Sequence, residues 1–104
     1  SAAVARAMKI QWTGKASSDL VRLHEHLRPV APDAAARVIQ QLARAPDRLL
    51  DYPRIGEKLE AYEPREVRRI IVGHYEMRYE IASATIFILR LWHCRENRSF
   101  DSEE

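Results

Sequence analysis

The fold of this chain is decided by residues 75–92, which read YEMRYEIASATIFILRLW. In the first half of this stretch every second residue is apolar and the residues between are charged, the period of two that a half-buried β-strand requires. Residues 85–92 are apolar at nearly every position, which is typical of a central strand covered on both faces. The link Ala82-Ser83-Ala84 has the length of a hairpin loop. Residues 66–72, rich in β-branched side chains, precede them across Gly73-His74, so the sequence predicts three consecutive strands.

The N-terminal half predicts a further strand and two helices. Residues 8–12 alternate apolar and polar side chains, as a strand with one buried face does. Residues 15–28 place apolar side chains at helical spacing up to Arg28-Pro29, where the proline ends the helix. A second helix is predicted from Pro32 with a kink or break at Pro46, and residues 52–64 are interpreted as a loop with room for a turn of helix. The order is βααβββ, an α+β domain with a helical hairpin on one face of a mostly antiparallel sheet of about four strands.

Length and composition restrict the function classes. The 104 residues, 17 basic and 15 acidic, carry a net charge of +2 and suffice for one domain, predicted over residues 8–100. Residues 1–7 are interpreted as a loose arm outside the fold and residues 101–104 as an acidic tail. No apolar run is long enough to cross a bilayer, and the single cysteine, Cys94, excludes an intramolecular disulfide and fits a reducing cytoplasm. Three glycines are too few for a glycine-rich phosphate loop, and no cofactor is predicted.

Arginine accounts for 14 of the 17 basic residues. Its planar guanidinium group binds phosphate or carboxylate with two parallel hydrogen bonds. Residues 65–98 contain seven arginines and four glutamates, so this part of the chain has an excess of positive charge. It is therefore predicted to bind nucleic acid or an acidic protein partner. The seven are Arg65, Arg68, Arg69, Arg78, Arg90, Arg95 and Arg98. The alternative is that they pair with Glu66, Glu76 and Glu80 on neighbouring strands. The four histidines are not spaced to hold a metal ion, and no metal site is predicted.

Four segments resemble the RelE/ParE-type toxins, in the same order along the chain. Residues 10–13, IQWT, with Ala16 and Asp19-Leu20, are similar to the first strand and helix of that family. Residues 49–56, LLDYPRIG, are similar to the junction that precedes its sheet. Residues 67–79, VRRIIVGHYEMRY, and residues 88–95, ILRLWHCR, resemble its closing strands. The likeness spans residues 9–98.

The resemblance implies the toxin of a type II toxin–antitoxin pair, held silent in the cytoplasm by a cognate antitoxin within a toxin–antitoxin hetero-oligomer. ParE-like members of the family poison DNA gyrase and perform no chemistry, whereas RelE-like members cut mRNA on the ribosome without a metal. The chain is predicted to be ParE-like, because Phe100 stands near the functional tyrosine of the nucleases and only Lys58 stands where they carry several lysines.

Two alternatives to gyrase inhibition stay open at this stage. In a RelE-like nuclease, Arg69 and Arg95 would grip the phosphate and His93 would carry the proton. A protein of the same fold that only binds an antitoxin, without toxicity, is the third interpretation.

Overall fold

The computed structural model of the chain describes residues 8–96. Strand β1 (Lys9–Trp12) is followed by helices α1 (Gly14–Leu27), α2 (Pro32–Arg44) and α3 (Asp47–Asp51). The short strand β2 (Glu57–Lys58) and a 3-10 turn (Glu60–Tyr62) lead into strands β3 (Glu66–Val72), β4 (Tyr75–Ala82) and β5 (Thr85–His93). The predicted α+β class and N-terminal helices are confirmed.

The sheet has five strands rather than the four that were expected, in the order β1-β5-β4-β3-β2. Strand β1 pairs with β5 in parallel, and the other neighbours are antiparallel. The additional strand is β2, which lies in the segment predicted to be a loop. Because Glu57 and Lys58 are both exposed and charged, this two-residue strand leaves no hydrophobic pattern in the sequence.

A capping side chain and two prolines set the ends of the helices. The Thr13 hydroxyl accepts a hydrogen bond from the Ala16 N–H at 3.1 Å, which caps α1. Pro32 is the first residue of α2, where its missing N–H costs nothing. Helix α2 ends at Arg44 and α3 begins at Asp47, so the predicted break at Pro46 is confirmed.

The core lies between the helices and one face of the sheet. Leu23, Leu42 and Leu49, one from each helix, pack against alternate residues of β4 and β5. The sheet contributes Tyr75, Met77, Tyr79, Ile81, Ile86, Ile88 and Leu91. Since side chains alternate across a strand, the charged residues of β4 project from the opposite face.

Some sequence predictions lie beyond the described residues. These are the N-terminal arm at residues 1–7, the domain end at residue 100 and the acidic tail at residues 101–104, so the domain boundaries stay predictions. Within residues 8–96, none of the helices has the length and apolar character needed to cross a membrane.

Candidate partner-binding surface

A row of three arginines crosses the face of the sheet that the helices leave open. The strand register aligns Arg69 of β3 with Arg78 of β4, and Arg78 with Arg90 of β5. Three like charges side by side would repel one another. Their contacts with carboxylates therefore decide whether this row is available to a partner.

Glu76 neutralises two arginines of the row. Its side chain is only 1% exposed and accepts hydrogen bonds from Arg69 at 3.3 Å and from Arg78 at 2.8 Å. Arg69 also donates from Nε to Glu57 at 2.9 Å. The hydrogen bond to Glu57, followed by the charge of Glu76, raises the pKa of Arg69. Arg69 is therefore already engaged within the chain.

Aromatic rings hold Arg78 in place as well. The Arg78 guanidinium lies 4.5 Å from the ring centre of Trp92 and 5.8 Å from that of Tyr62. It also donates to the Tyr62 hydroxyl at 2.9 Å. Trp92 is fully buried beneath Arg78 and Arg90, whose guanidinium lies 5.2 Å from the same ring. These cation–π contacts fix Arg78 and Arg90 as part of the folded structure.

Arg90 forms a buried ion pair with Asp19 of α1. The Arg90 Nε to Asp19 Oδ2 distance is 2.8 Å, and both side chains are less than a tenth exposed. The same carboxylate accepts from the Leu91 N–H at 2.9 Å and from Arg22 at 3.2 Å. Strand β1 pairs with β5 only as far as Ile88, so Asp19 binds the stretch of β5 that β1 leaves without a strand neighbour. Asp19 connects α1 to the sheet.

Two further arginines, directly before and within β3, are neutralised as well. Arg65 forms two hydrogen bonds with Glu80, at 3.1 and 2.7 Å. Arg68 donates to Glu66 at 2.9 Å and to the Gly56 carbonyl at 2.8 Å. Hydrogen bonding from Arg54 is the largest cause of a lowered pKa for Glu66; burial raises that pKa and Arg68 lowers it further. Pairing with carboxylates, the alternative weighed from the sequence, thus holds for these arginines.

His93 and Arg95 lie together in a cavity of about 670 Å³ at the end of β5. His93 stacks on His74 at 6.2 Å and meets Tyr75 edge-on at 5.1 Å. The Arg95 backbone N–H donates to His93 Nδ1 at 3.1 Å. Burial, and to a smaller extent the charge of Glu96, raises the pKa of Tyr75. In the described part of the chain, the Arg95 side chain forms no ion pair.

Arg69 does not join His93 and Arg95 in this cavity. Arg69 is aligned with Arg90, which lies three residues before His93 and two strands away, so Arg69 is offset by about 10 Å along the strands and about 10 Å across them. His93 is aligned with the core residue Tyr75, whereas Arg69 projects from the opposite face. The three residues named for a nuclease are therefore not brought together. Arg98 lies outside the described residues.

The structure reveals a second basic surface, on α2 and α3, that the sequence analysis missed. Arg37, Arg44 and Arg48 line a groove of about 540 Å³ against β3, which we call the α2 groove. Their positions i, i+7 and i+11 repeat at helical spacing, a signal that was present in the sequence. No group of three His, Cys, Asp or Glu side chains among residues 8–96 is arranged to hold a metal ion.

Comparison with known proteins identifies the family. The family model described as "ParE toxin of type II toxin-antitoxin system, parDE" matches residues 10–98. The chain belongs to this family. Membership of the RelE/ParE superfamily, predicted from the four segments, is thereby confirmed. The family is one of toxins from type II toxin–antitoxin systems.

Two relatives of this ParE-family toxin are informative. It is 32% identical over 85 residues to the Toxin RelE2 of Caulobacter vibrioides, an alignment that covers 82% of this chain and 93% of the relative. It is also similar to a chain of the solved "Chromosomal ParDE TA system from P. aeruginosa", with a TM-score of 0.72 and 22% identity, covering 85% of this chain and 97% of the other. That second likeness supports the fold alone.

Proposed function

We propose that this ParE-family toxin inhibits bacterial growth by binding DNA gyrase and trapping its cleaved DNA, with a cognate antitoxin that neutralises it. It performs no chemistry on nucleic acid in this proposal. The relatives carry both ParE and RelE names, so their names do not choose between the two targets.

The position of Arg69 is the observation that carries the proposal. Cutting a phosphodiester needs cationic groups aimed at the one phosphate on which charge develops, together with a group that moves a proton. Arg69 is held by Glu57 and Glu76 on the open face, and His93 lies at the end of β5 towards the helices. A nuclease site would have to break these ion pairs and move Arg69 around the sheet. Inhibition by binding needs neither change.

The direct test is supercoiling of relaxed plasmid by purified gyrase in the presence of the purified toxin. We expect supercoiling to fall with toxin concentration and linear plasmid to appear after protein digestion, because the cleaved DNA is trapped. Thymidine and amino-acid incorporation after induction of the toxin give the cellular counterpart. DNA synthesis should stop first. If amino-acid incorporation stops first, the ribosome is the target; if neither changes, the protein only binds its antitoxin.

The RelE-like alternative retains one favourable observation, the shared cavity of His93 and Arg95. Replacing Arg95 by alanine distinguishes gyrase inhibition from cleavage of RNA. The residue is exposed and forms no ion pair among residues 8–96, so the free energy of unfolding should change by no more than about 0.5 kcal/mol. We expect the Arg95→Ala variant to inhibit growth as strongly as the parent, measured by colony counts after induction.

A control for this variant is Arg28→Ala, which removes another exposed arginine, directly after α1. Thermal unfolding of both variants checks that they fold. If Arg95→Ala folds normally and loses toxicity while Arg28→Ala keeps it, the gyrase proposal fails and cleavage of RNA takes its place.

A further inference from the structure

Strand β3 has an edge that is only partly covered. Strand β2 pairs with Arg68 and Arg69 alone, so beyond Arg69 β3 has no strand neighbour on this side among residues 8–96. The Val67 carbonyl accepts from the Leu59 N–H and therefore points to this edge. Because backbone groups alternate along a strand, the N–H and C=O of Ile71, four residues later, point the same way. An extended peptide could pair with them.

The wall of the α2 groove beside this edge is positively charged. Arg37, Arg44 and Arg48 are exposed, and within the described part of the chain none of the three forms an ion pair. Among the described residues, no carboxylate lines the groove. Arg65, Arg68, Arg69, Arg78 and Arg90 are neutralised by carboxylates of the chain itself. Apart from Arg95 at the end of β5, the arginines of residues 8–96 that have no carboxylate partner are therefore on α2 and α3.

Apolar side chains accompany the charges. Ile70 and Val72 contribute to the floor of the groove and face the helices, whereas Ile71 projects from the other face and is 57% exposed. Ile55, 49% exposed, lies with Ile71 along a neighbouring depression. A segment that paired with β3 would thus place alternate side chains beside the arginines and beside exposed isoleucine.

We propose that the α2 groove binds an extended acidic peptide segment, which adds a strand to β3 at Ile71 and places carboxylates against Arg37, Arg44 and Arg48. Its side chains alternate, acidic towards α2 and apolar towards Ile71. This proposal rests on the proposed neutralisation, since the antitoxin is the partner that would supply such a segment. Main-chain pairing gives the affinity and the arginines select the charge.

A nucleic acid fits this surface less well than a peptide. A phosphate backbone would satisfy the three arginines, but it has no N–H or C=O groups to continue the ladder of β3. It would also leave Ile71 and Ile55 exposed. The groove therefore favours a polypeptide.

The test uses a fluorescein-labelled peptide of five Glu-Val repeats and measures its binding to the purified toxin by fluorescence anisotropy. In the triple variant Arg37→Gln, Arg44→Gln, Arg48→Gln we expect affinity to fall by about 3- to 125-fold, because each exposed ion pair contributes about 1.4- to 5-fold. The control variant Lys9→Gln, Lys15→Gln, Arg28→Gln removes the same charge from exposed positions on β1, on α1 and directly after α1, and should bind like the parent. A Lys-Val peptide should not bind.

Strand pairing is tested by changing the peptide rather than the toxin, so the result does not depend on whether a toxin variant folds. N-methylation of the valines removes their N–H donors, and we expect at least a tenfold loss of affinity. Equal binding of the methylated peptide, or equal loss in the two triple variants, would overturn the proposal. Tighter binding of a 20-nucleotide single-stranded DNA, lost in the groove variant, would also overturn it in favour of nucleic acid. Supercoiling is measured on the same samples, so a failure of gyrase inhibition is distinguished from a failure of peptide binding.

Discussion

Replacing Asp19 by alanine is expected to lower the free energy of unfolding by about 3–5 kcal/mol. The substitution leaves the Arg90 guanidinium buried without its carboxylate and deprives the Leu91 N–H of its acceptor. An uncompensated buried charge is among the most destabilising defects that a single substitution creates. Since domains of this size have a total stability of about 5–15 kcal/mol, a large part of the population could unfold at 37 °C.

Urea unfolding followed by circular dichroism measures this loss. Glu25→Ala is the control, because Glu25 lies on the same helix and pairs with Arg28 on the surface, where both side chains are more than half exposed. It should cost no more than about 1 kcal/mol. Asp19→Asn, which keeps an acceptor for Leu91 but loses the charge, should fall between the two. A loss below about 1 kcal/mol for Asp19→Ala would show that the pair does not fix α1 to β5.

The fold was predictable wherever a buried face imposed a period on the sequence. Tyr75 to Ile81 alternate because one face of β4 is core, and Ala35, Leu42 and Leu49 recur because α2 and α3 bury one face. Strand β2 was not predicted, because the exposed side chains of Glu57 and Lys58 leave no hydrophobic pattern in the sequence. The five-strand order, with β1 parallel to β5, was not predictable because it depends on contacts between residues about 75 apart in the chain.

The arginine-rich character of the chain was visible in the sequence, but the state of each arginine was not. A glutamate two positions from an arginine is on the same face of a strand, which relates Glu76 to Arg78. Whether Glu76 also reaches Arg69 depends on the register of β3 against β4, which the sequence does not give. Asp19 was quoted only as part of a family likeness, and its pairing with Arg90 required the packing of α1 on β5. Charge content thus predicts a basic surface, and register decides which part of that surface is free.

Replacing Gly56 by alanine is expected to lower the free energy of unfolding by about 2–5 kcal/mol, the combined cost of overpacking and of a lost buried hydrogen bond. A Cβ atom at this position would lie 2.6 Å from the Arg69 carbonyl oxygen and 2.7 Å from the Tyr79 hydroxyl. Neither atom can move away easily, because the Arg69 carbonyl is part of the backbone of β3 and Tyr79 is fully buried. The Tyr79 hydroxyl accepts from the Gly56 N–H at 3.0 Å and donates to the Pro53 carbonyl at 2.7 Å. Burial raises the pKa of Tyr79, so this hydroxyl keeps its proton at neutral pH.

The matched control is Gly14→Ala, since nothing lies within 4 Å of a Cβ at Gly14 and alanine suits the start of α1 better. Urea unfolding should place Gly14→Ala at or above the parent and Gly56→Ala well below it. Gly56 directly precedes Glu57, so displacing Gly56 also moves one of the two carboxylates that hold Arg69. A Gly56→Ala variant as stable as Gly14→Ala would mean that the segment carrying β2 shifts freely, and Arg69 would then be held on the open face by Glu76 alone.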